Sequence, residues 1–355
     1  MTPDLFAEKL LRWYARHRRD LPWRQTTDPY RIWLSEIILP QTRVAQGMPY
    51  YEKFVEAFPT VYDLAAAEER EVLRLWQGLG YYSRARNLRQ TAKTLVTEHG
   101  GRFPDTYAGL LQLRGIGSYT AAAIASFAFG ERVAVLDGNV FRVLARVFGI
   151  DTDITTTAAK KQFTDLANRL ISPGEPAQYN HAIMDFGATQ CVPVSPQCLF
   201  CPLALECEAN ATGRQGVLPV KKKKAPVRER FFHYLVVGQG DRLLMRERTG
   251  RDVWQGLFDF YLIEADEFQE PDEWSSDDFL DRLHPLATVE DASEEFVHVL
   301  SHQRIRARFW HLLLPEDANL ALPAHAHWAS PTDVEALPKP ILVVRYLRGK
   351  KFSKR

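Results

Sequence analysis

The four cysteines of the chain, Cys191, Cys198, Cys201 and Cys207, fall in a C-x6-C-x2-C-x5-C pattern. Thiolates this close in sequence suit a metal centre, and ligand softness alone does not separate structural zinc from an iron-sulfur cluster. Zinc sites usually use two close Cys pairs; here only one pair is close, which favours a cubane cluster. Two carboxylates, Glu36 and Asp137, could do acid–base or electrostatic work. On pattern alone, Glu36 could equally be an ordinary carboxylate on an amphipathic helix, and Asp137, just before Gly138-Asn139-Val140, could be a helix N-cap. Gly115 and Gly117 stand in a tight turn before an apolar helix. Glycine there lets backbone approach a phosphate, and the helix start supplies free N–H groups and positive dipole.

The elements that must position these groups are helical before residue 208. Apolar residues recur at three and four positions in Leu5 to Tyr14, Ile32 to Leu39, Val44 to Phe58, Glu71 to Leu79, Leu88 to Val96, Tyr119 to Phe129 and Val140 to Phe148. An all-α domain is expected over residues 1–208. Residues 209–230 turn to Gly, Pro, Gln and Lys, including Lys221 to Lys224, and read as a basic linker that is either a solvated spacer or a phosphate-contacting strap. Beyond it, Phe231 to Val237, Phe258 to Glu264 and Ile305 to Leu314 look like strands, so residues 231–355 are expected to form an α+β domain.

At 355 residues the chain has room for two cores, and 46% apolar with 25% charged residues is ordinary for a globular protein. The net charge of +1 excludes little, but its distribution is uneven: +2 over residues 1–207, +5 over 208–230 and −6 over 231–355. Asp4 and Glu8 stand where a signal peptide needs a basic region and then an apolar run, and no apolar stretch reaches about 18 residues. A cytoplasmic, nucleoid-associated monomer with no membrane contact is expected, and in that compartment disulfides are disfavoured.

Several runs resemble one family. Trp33-Leu-Ser-Glu-Ile-Ile-Leu-Pro-Gln-Thr is similar to the Trp-x-Ser-Glu-x-x-Leu-Gln-Gln-Thr segment of MutY-type adenine DNA glycosylases, in the endonuclease III superfamily. Trp76-Gln-Gly-Leu-Gly-Tyr-Tyr-Ser-Arg-Ala-Arg-Asn-Leu is nearly identical to its next motif, and Leu21-Pro-Trp-Arg24, Leu113-Arg-Gly-Ile-Gly and the run from Asn180 into the cysteines also match. The resemblance spans residues 20–207. It implies a helix-hairpin-helix fold, a 4Fe–4S cluster on the four cysteines, and double-stranded DNA as partner, with adenine opposite 8-oxoguanine.

By the same resemblance, Glu36 is the general acid that protonates adenine at N7 and Asp137 stays ionised against the sugar, so their pKa values should differ. Tyr119 and Asn139 would orient Asp137 and water. The lyase branch of the superfamily carries a Lys where this chain has Tyr119, and a phenol cannot form an imine, so base removal without strand cleavage is expected. Arg24, Gln41, Thr42, Leu79, Tyr81, Gly115 and Gly117 match DNA- or lesion-contacting positions; without the resemblance Tyr81 reads as core. Pro40 departs from the paired glutamines, and the Cys191–Cys198 loop lacks the family's usual basic residues.

The C-terminal region resembles the MutT-like domain of the same family, which recognises 8-oxoguanine. It has no Arg-Glu-x-x-Glu-Glu run for catalytic magnesium, so recognition rather than hydrolysis is implied. Ser301 and His302 match the lesion-reading loop, although they could simply shape a turn. Two rivals remain: a glycosylase for another mispaired or damaged base, and a lesion-binding protein without catalysis.

Overall fold

The computed structural model describes residues 1–40, 42–222, 227–274, 277–300 and 302–349. Its contacts divide the chain into two compact units, Met1–Ala66 with Gln90–Lys223, and Ala67–Arg89 with Lys224–Arg355. Gln41 and Ser301, two of the expected DNA-contacting residues, lie outside the described residues, as do the last two lysines of the Lys221–Lys224 run.

The first unit is helical. In chain order the helices are α1 (Pro3–His17), α2 (Pro29–Ile38), α3 (Val44–Ala57), α4 (Val61–Ala66), α5 (Glu69–Leu75), α6 (Ser83–His99), α7 (Tyr107–Leu110), α8 (Ser118–Phe129), α9 (Gly138–Val147), α10 (Thr157–Leu170), α11 (Pro176–Asp185) and α12 (Glu208–Ala211). Of these, α5 and the first turns of α6 belong to the second unit. Thr2, Asp28, Asp137 and Thr156 cap α1, α2, α9 and α10 with side-chain oxygens, and Pro begins α1, α2 and α11. The core gathers Phe6, Leu10, Val143, Leu144, Phe163, Tyr179 and Phe186.

Two helices depart from the amphipathic norm. Residues Thr120 to Phe127 of α8 are all buried, and α2 is buried from Ile32 to Ile38. Helices apolar all round belong inside, and these two pack on one another. Their apolar surroundings are the medium in which the carboxylate of α2 has to exist.

Among the described residues the second unit carries an eight-stranded sheet: β1 (Arg228–Gln239), β2 (Arg242–Glu247), β3 (Phe258–Asp259), β4 (Tyr261–Ala265), β5 (Thr288–Ala292), β6 (Phe296–Val299), β7 (Gln303–Leu314) and β8 (Ala326–Ala329). The main path runs β3-β2-β1-β7-β5, with β1 and β7 parallel from Arg228 opposite Gln303 to Gln239 opposite Leu314. Helices α13 (Asp278–Leu283), α14 (Pro331–Ala336) and α15 (Ile341–Gly349) complete it. The all-α-then-α+β expectation matches this architecture. The strand expected over 258–264 divides at Phe260 into β3, paired with β2, and β4, paired with β1.

The linker is less extended than its composition suggests. Leu218 is buried against the helical core, and the Val220 carbonyl accepts from Ile154 N at 3.1 Å.

Candidate active site

Glu36 sits on buried α2, 7% exposed, and its Oε2 accepts a hydrogen bond from the Tyr119 hydroxyl at 2.5 Å. Tyr119 lies in the first turn of α8, whose packing against α2 brings the two side chains together across 83 positions of chain. Burial pushes the Glu36 carboxyl up to about 7; the Tyr119 bond and Arg24 oppose that rise, while Asp137 adds to it. A carboxyl poised there at neutral pH can give and take a proton.

Asp137 is the N-cap of α9. Its Oδ1 accepts from Val140 N at 2.7 Å and its Oδ2 from Asn139 Nδ2 at 2.8 Å. Burial raises its pKa too, against these hydrogen bonds, which stabilise the ionised form. The cap role and a charge role coexist on one carboxylate. Asn139 thus orients Asp137, whereas the Tyr119 hydroxyl goes to Glu36 rather than to Asp137.

Behind Asn139 stands Arg142. It donates to Asn139 Oδ1 at 2.9 Å, Gly187 O at 2.6 Å and Cys191 O at 2.8 Å. One turn later Arg146 donates to the Val192 and Pro193 carbonyls at 2.7 and 2.9 Å, and its Nη1 lies 3.5 Å from Cys191 Sγ. Helix α9 therefore ties the Asp137 cap to the cysteine loop through two buried arginines. Neither was singled out in the sequence, where arginines at helical positions read as solvated.

The four cysteines are half-buried and line one small void of about 20 Å³ with Arg146, Val147 and Leu203. Burial, then the neighbouring thiols, push the Cys201 thiol up to about 12, although the Leu203 N–H opposes the rise. Among the described residues no set of three or more His, Cys, Asp or Glu forms a ready-made single-ion site. Four cysteine thiols gathered around one void are nevertheless the donor set that an iron-sulfur cluster would take.

Arg24 was expected to meet DNA. Instead its side chain is 8% exposed and grips Asp185, Nη1 to Oδ2 at 2.6 Å and Nη2 to Oδ1 at 2.8 Å. Arg19 Nε takes Asp185 Oδ1 at 2.7 Å as well. With both nitrogens committed to a buried carboxylate, Arg24 acts on the site by its charge, lowering Glu36, rather than as an exposed phosphate ligand.

Among the remaining candidates, Gly115 has φ +77° in the turn between α7 and α8, the left-handed region that favours glycine, and Gly117 is the extended N-cap of α8. Thr42 is half-buried, with its N–H on Leu39 O at 2.9 Å. In the second unit, Leu79 is buried but Tyr81 is 48% exposed at φ +49°, with the Arg84 guanidinium over its ring. An exposed tyrosine in a left-handed backbone is not core. His302 is exposed at the β6–β7 turn.

Residues 34–169 match the HhH-GPD superfamily of base excision DNA repair proteins, and residues 233–349 match a NUDIX domain. An adenine DNA glycosylase of Rattus norvegicus is 34% identical over 91% of this chain and 73% of its own length. One from Buchnera aphidicola (subsp. Acyrthosiphon pisum) is 33% identical over 73% of this chain and 75% of its own. Among solved structures, a thermostable thymine-DNA glycosylase superposes with a TM-score of 0.55 at 31% identity, covering 59% of this chain and 97% of its own. An endonuclease III–DNA complex gives 0.52 at 22% identity, covering 60% and 98%, a likeness of fold.

Proposed function

The chain belongs to the adenine DNA glycosylase family, and from that premise we propose that it excises adenine paired with 8-oxoguanine or guanine, leaving an abasic site in an uncut strand. The observation that carries the reading is a pair of carboxylates, one buried and one half-buried, in different hydrogen-bond environments: Glu36 near neutrality with one phenol donor, Asp137 with a backbone and an amide donor.

A base inside a duplex is out of reach, so the adenosine is flipped out, leaving a gap in its own strand and its partner base unpaired across it. Glu36, protonated, donates to adenine N7 as the N-glycosidic bond lengthens, so that a neutral base departs. The sugar develops positive charge, and ionised Asp137, fixed by Asn139 and the α9 start, stabilises it through a low-dielectric surrounding. Glu36, now ionised, takes a proton from the water that adds to the sugar. No amine stands at position 119 to capture the sugar as an imine, which supports the absence of strand cleavage.

Leu79 and Tyr81, with Thr42 and Gln41, would occupy and read the gap, and the C-terminal unit, through Ser301 and His302, would read 8-oxoguanine. Cys191, Cys198, Cys201 and Cys207 would hold a 4Fe–4S cluster. When bound, it supplies a four-point cross-link of the loop and a redox-capable centre.

The test is adenine opposite 8-oxoguanine, guanine or thymine, and thymine opposite guanine, each strand labelled in turn, incubated with protein and read with and without hot alkali, alongside iron and sulfide analysis of the protein. Alkali-dependent cleavage of the adenine strand, opposite 8-oxoguanine and guanine alone, is expected. Release of thymine instead, as in the name of the thymine-DNA glycosylase neighbour, would overturn the substrate, and binding without release would overturn catalysis.

A further inference from the structure

A cavity of about 550 Å³ lies in the C-terminal unit, well away in sequence from Glu36 and Asp137. That is the volume of a small-molecule site. Its floor is apolar, with Val236 and Gly238 of β1, Leu312 of β7 and Val344 of α15. Its other walls are cationic: Arg74, Arg242, Lys339 and Arg348 face Asp241 and Glu335.

The basic groups are not matched by the acids. Lys339 is 4% exposed, and its ammonium is saturated by backbone carbonyls, Val334, Glu335 at 3.3 Å and Leu337 at 2.7 Å, so it brings charge to the wall but no free donor. Burial and then the Arg74 guanidinium push the Lys339 pKa down to about 8, and exposed Glu335 only partly opposes them. Arg74 is half-buried and pairs with no carboxylate among the described residues. Two cations thus share a partly desolvated wall, an arrangement that an incoming anion relieves. Arg348 and Arg242 are exposed on the same lining; Arg242 gives Nη2 to Gln239 Oε1 at 3.3 Å and lies over the Trp328 ring, which holds its guanidinium in place. Guanidinium groups suit phosphate because their planar fork matches its oxygens.

We propose that this cavity binds a small organic phosphomonoester, with its phosphate on the Arg74 side and its flat or apolar body over the Val236–Leu312 floor. Nothing in base excision requires the site, so it stands or falls separately from the glycosylase reading. Arg74 and Gln77, both lining residues, precede the Leu79–Tyr81 turn by a few positions. A bound ligand would therefore lie against the chain just ahead of the segment that displays Tyr81.

Titration calorimetry of the full-length protein with dGMP, deoxyguanosine and inorganic phosphate tests this. Saturable binding of dGMP at one equivalent is expected, with deoxyguanosine and Arg74→Glu each weakening it by about tenfold or more, the loss of a charge-assisted pair. Far-UV circular dichroism and adenine excision should be unchanged in the variant; should the charge reversal unfold the chain, Arg74→Gln gives the same readout. No binding of dGMP, equal binding by deoxyguanosine, or binding indifferent to Arg74 would each overturn the proposal.

Discussion

The Tyr119 hydroxyl donates to Glu36 Oε2 at 2.5 Å, so the residue that marks the absence of a lyase lysine is also the hydrogen-bond partner of the buried acid. A donor to the ionised form holds a carboxyl's pKa down. Replacing Tyr119 by Phe removes that restraint. Since a hydrogen bond to a charged group is worth about 1.5–3 kcal/mol, the alkaline limb of single-turnover adenine excision should rise by about one to two pH units. A limb that stays in place would mean that Tyr119 does not govern Glu36.

Glu36 also writes a pH signature into stability. Below its ordinary pKa of 4.5 both folded and unfolded chains hold the proton; between 4.5 and about 7 only the folded chain does, so stability falls as pH rises through that window. Glu36→Gln cannot ionise. Its advantage over the native chain in urea denaturation should be near zero at pH 4, grow through the window and level off above it at about 3 kcal/mol. An advantage independent of pH would contradict the burial argument.

How much of this was legible beforehand depended on how local each feature is. The cysteine spacing, Glu36 among apolar neighbours and Asp137 ahead of a helix are short-range patterns, and all fall on the expected elements. The Arg24–Asp185 pair joins positions 161 apart, and nothing in either neighbourhood announces it. Arg142 and Arg146 are written into α9 like solvated residues, yet they are buried because carbonyls of the cysteine loop satisfy their donors. The helix expected to reach Leu79 stops at Leu75, because Gly78 and Gly80 take φ of +105° and +73° to turn the chain toward Tyr81. Periodicity continues through such a turn even though the backbone does not.

Gly187 offers a test of how tightly Asn139 must be held. A Cβ on Gly187 would lie 2.7 Å from Asn139 Cβ and 3.1 Å from its backbone, whereas one on Gly216 would meet nothing. Gly187→Ala should cost about 1–3 kcal/mol of stability and slow excision by shifting Asn139 off Asp137; Gly216→Ala should do neither. Equal behaviour of the two variants would show that the close approach does not matter.

Asp185 should prove important to the fold. Its carboxylate is fully buried and shared by Arg24 and Arg19, which hold its pKa below the ordinary aspartate value despite burial. Asp185→Ala leaves two guanidinium groups, one of them buried, without their partner, a change that typically costs about 3–5 kcal/mol. The midpoint of chemical denaturation should fall accordingly, and an unchanged midpoint would show the pair to be dispensable.

The most direct test is single-turnover excision of adenine opposite 8-oxoguanine by the native chain and by Glu36→Gln at neutral pH, with duplex affinity measured on both. Loss of a general acid should slow excision by about 10²–10⁴-fold while affinity stays within a few fold. Full activity in Glu36→Gln would contradict the account, because the buried, near-neutral carboxyl on α2 would then not be the group that protonates the base.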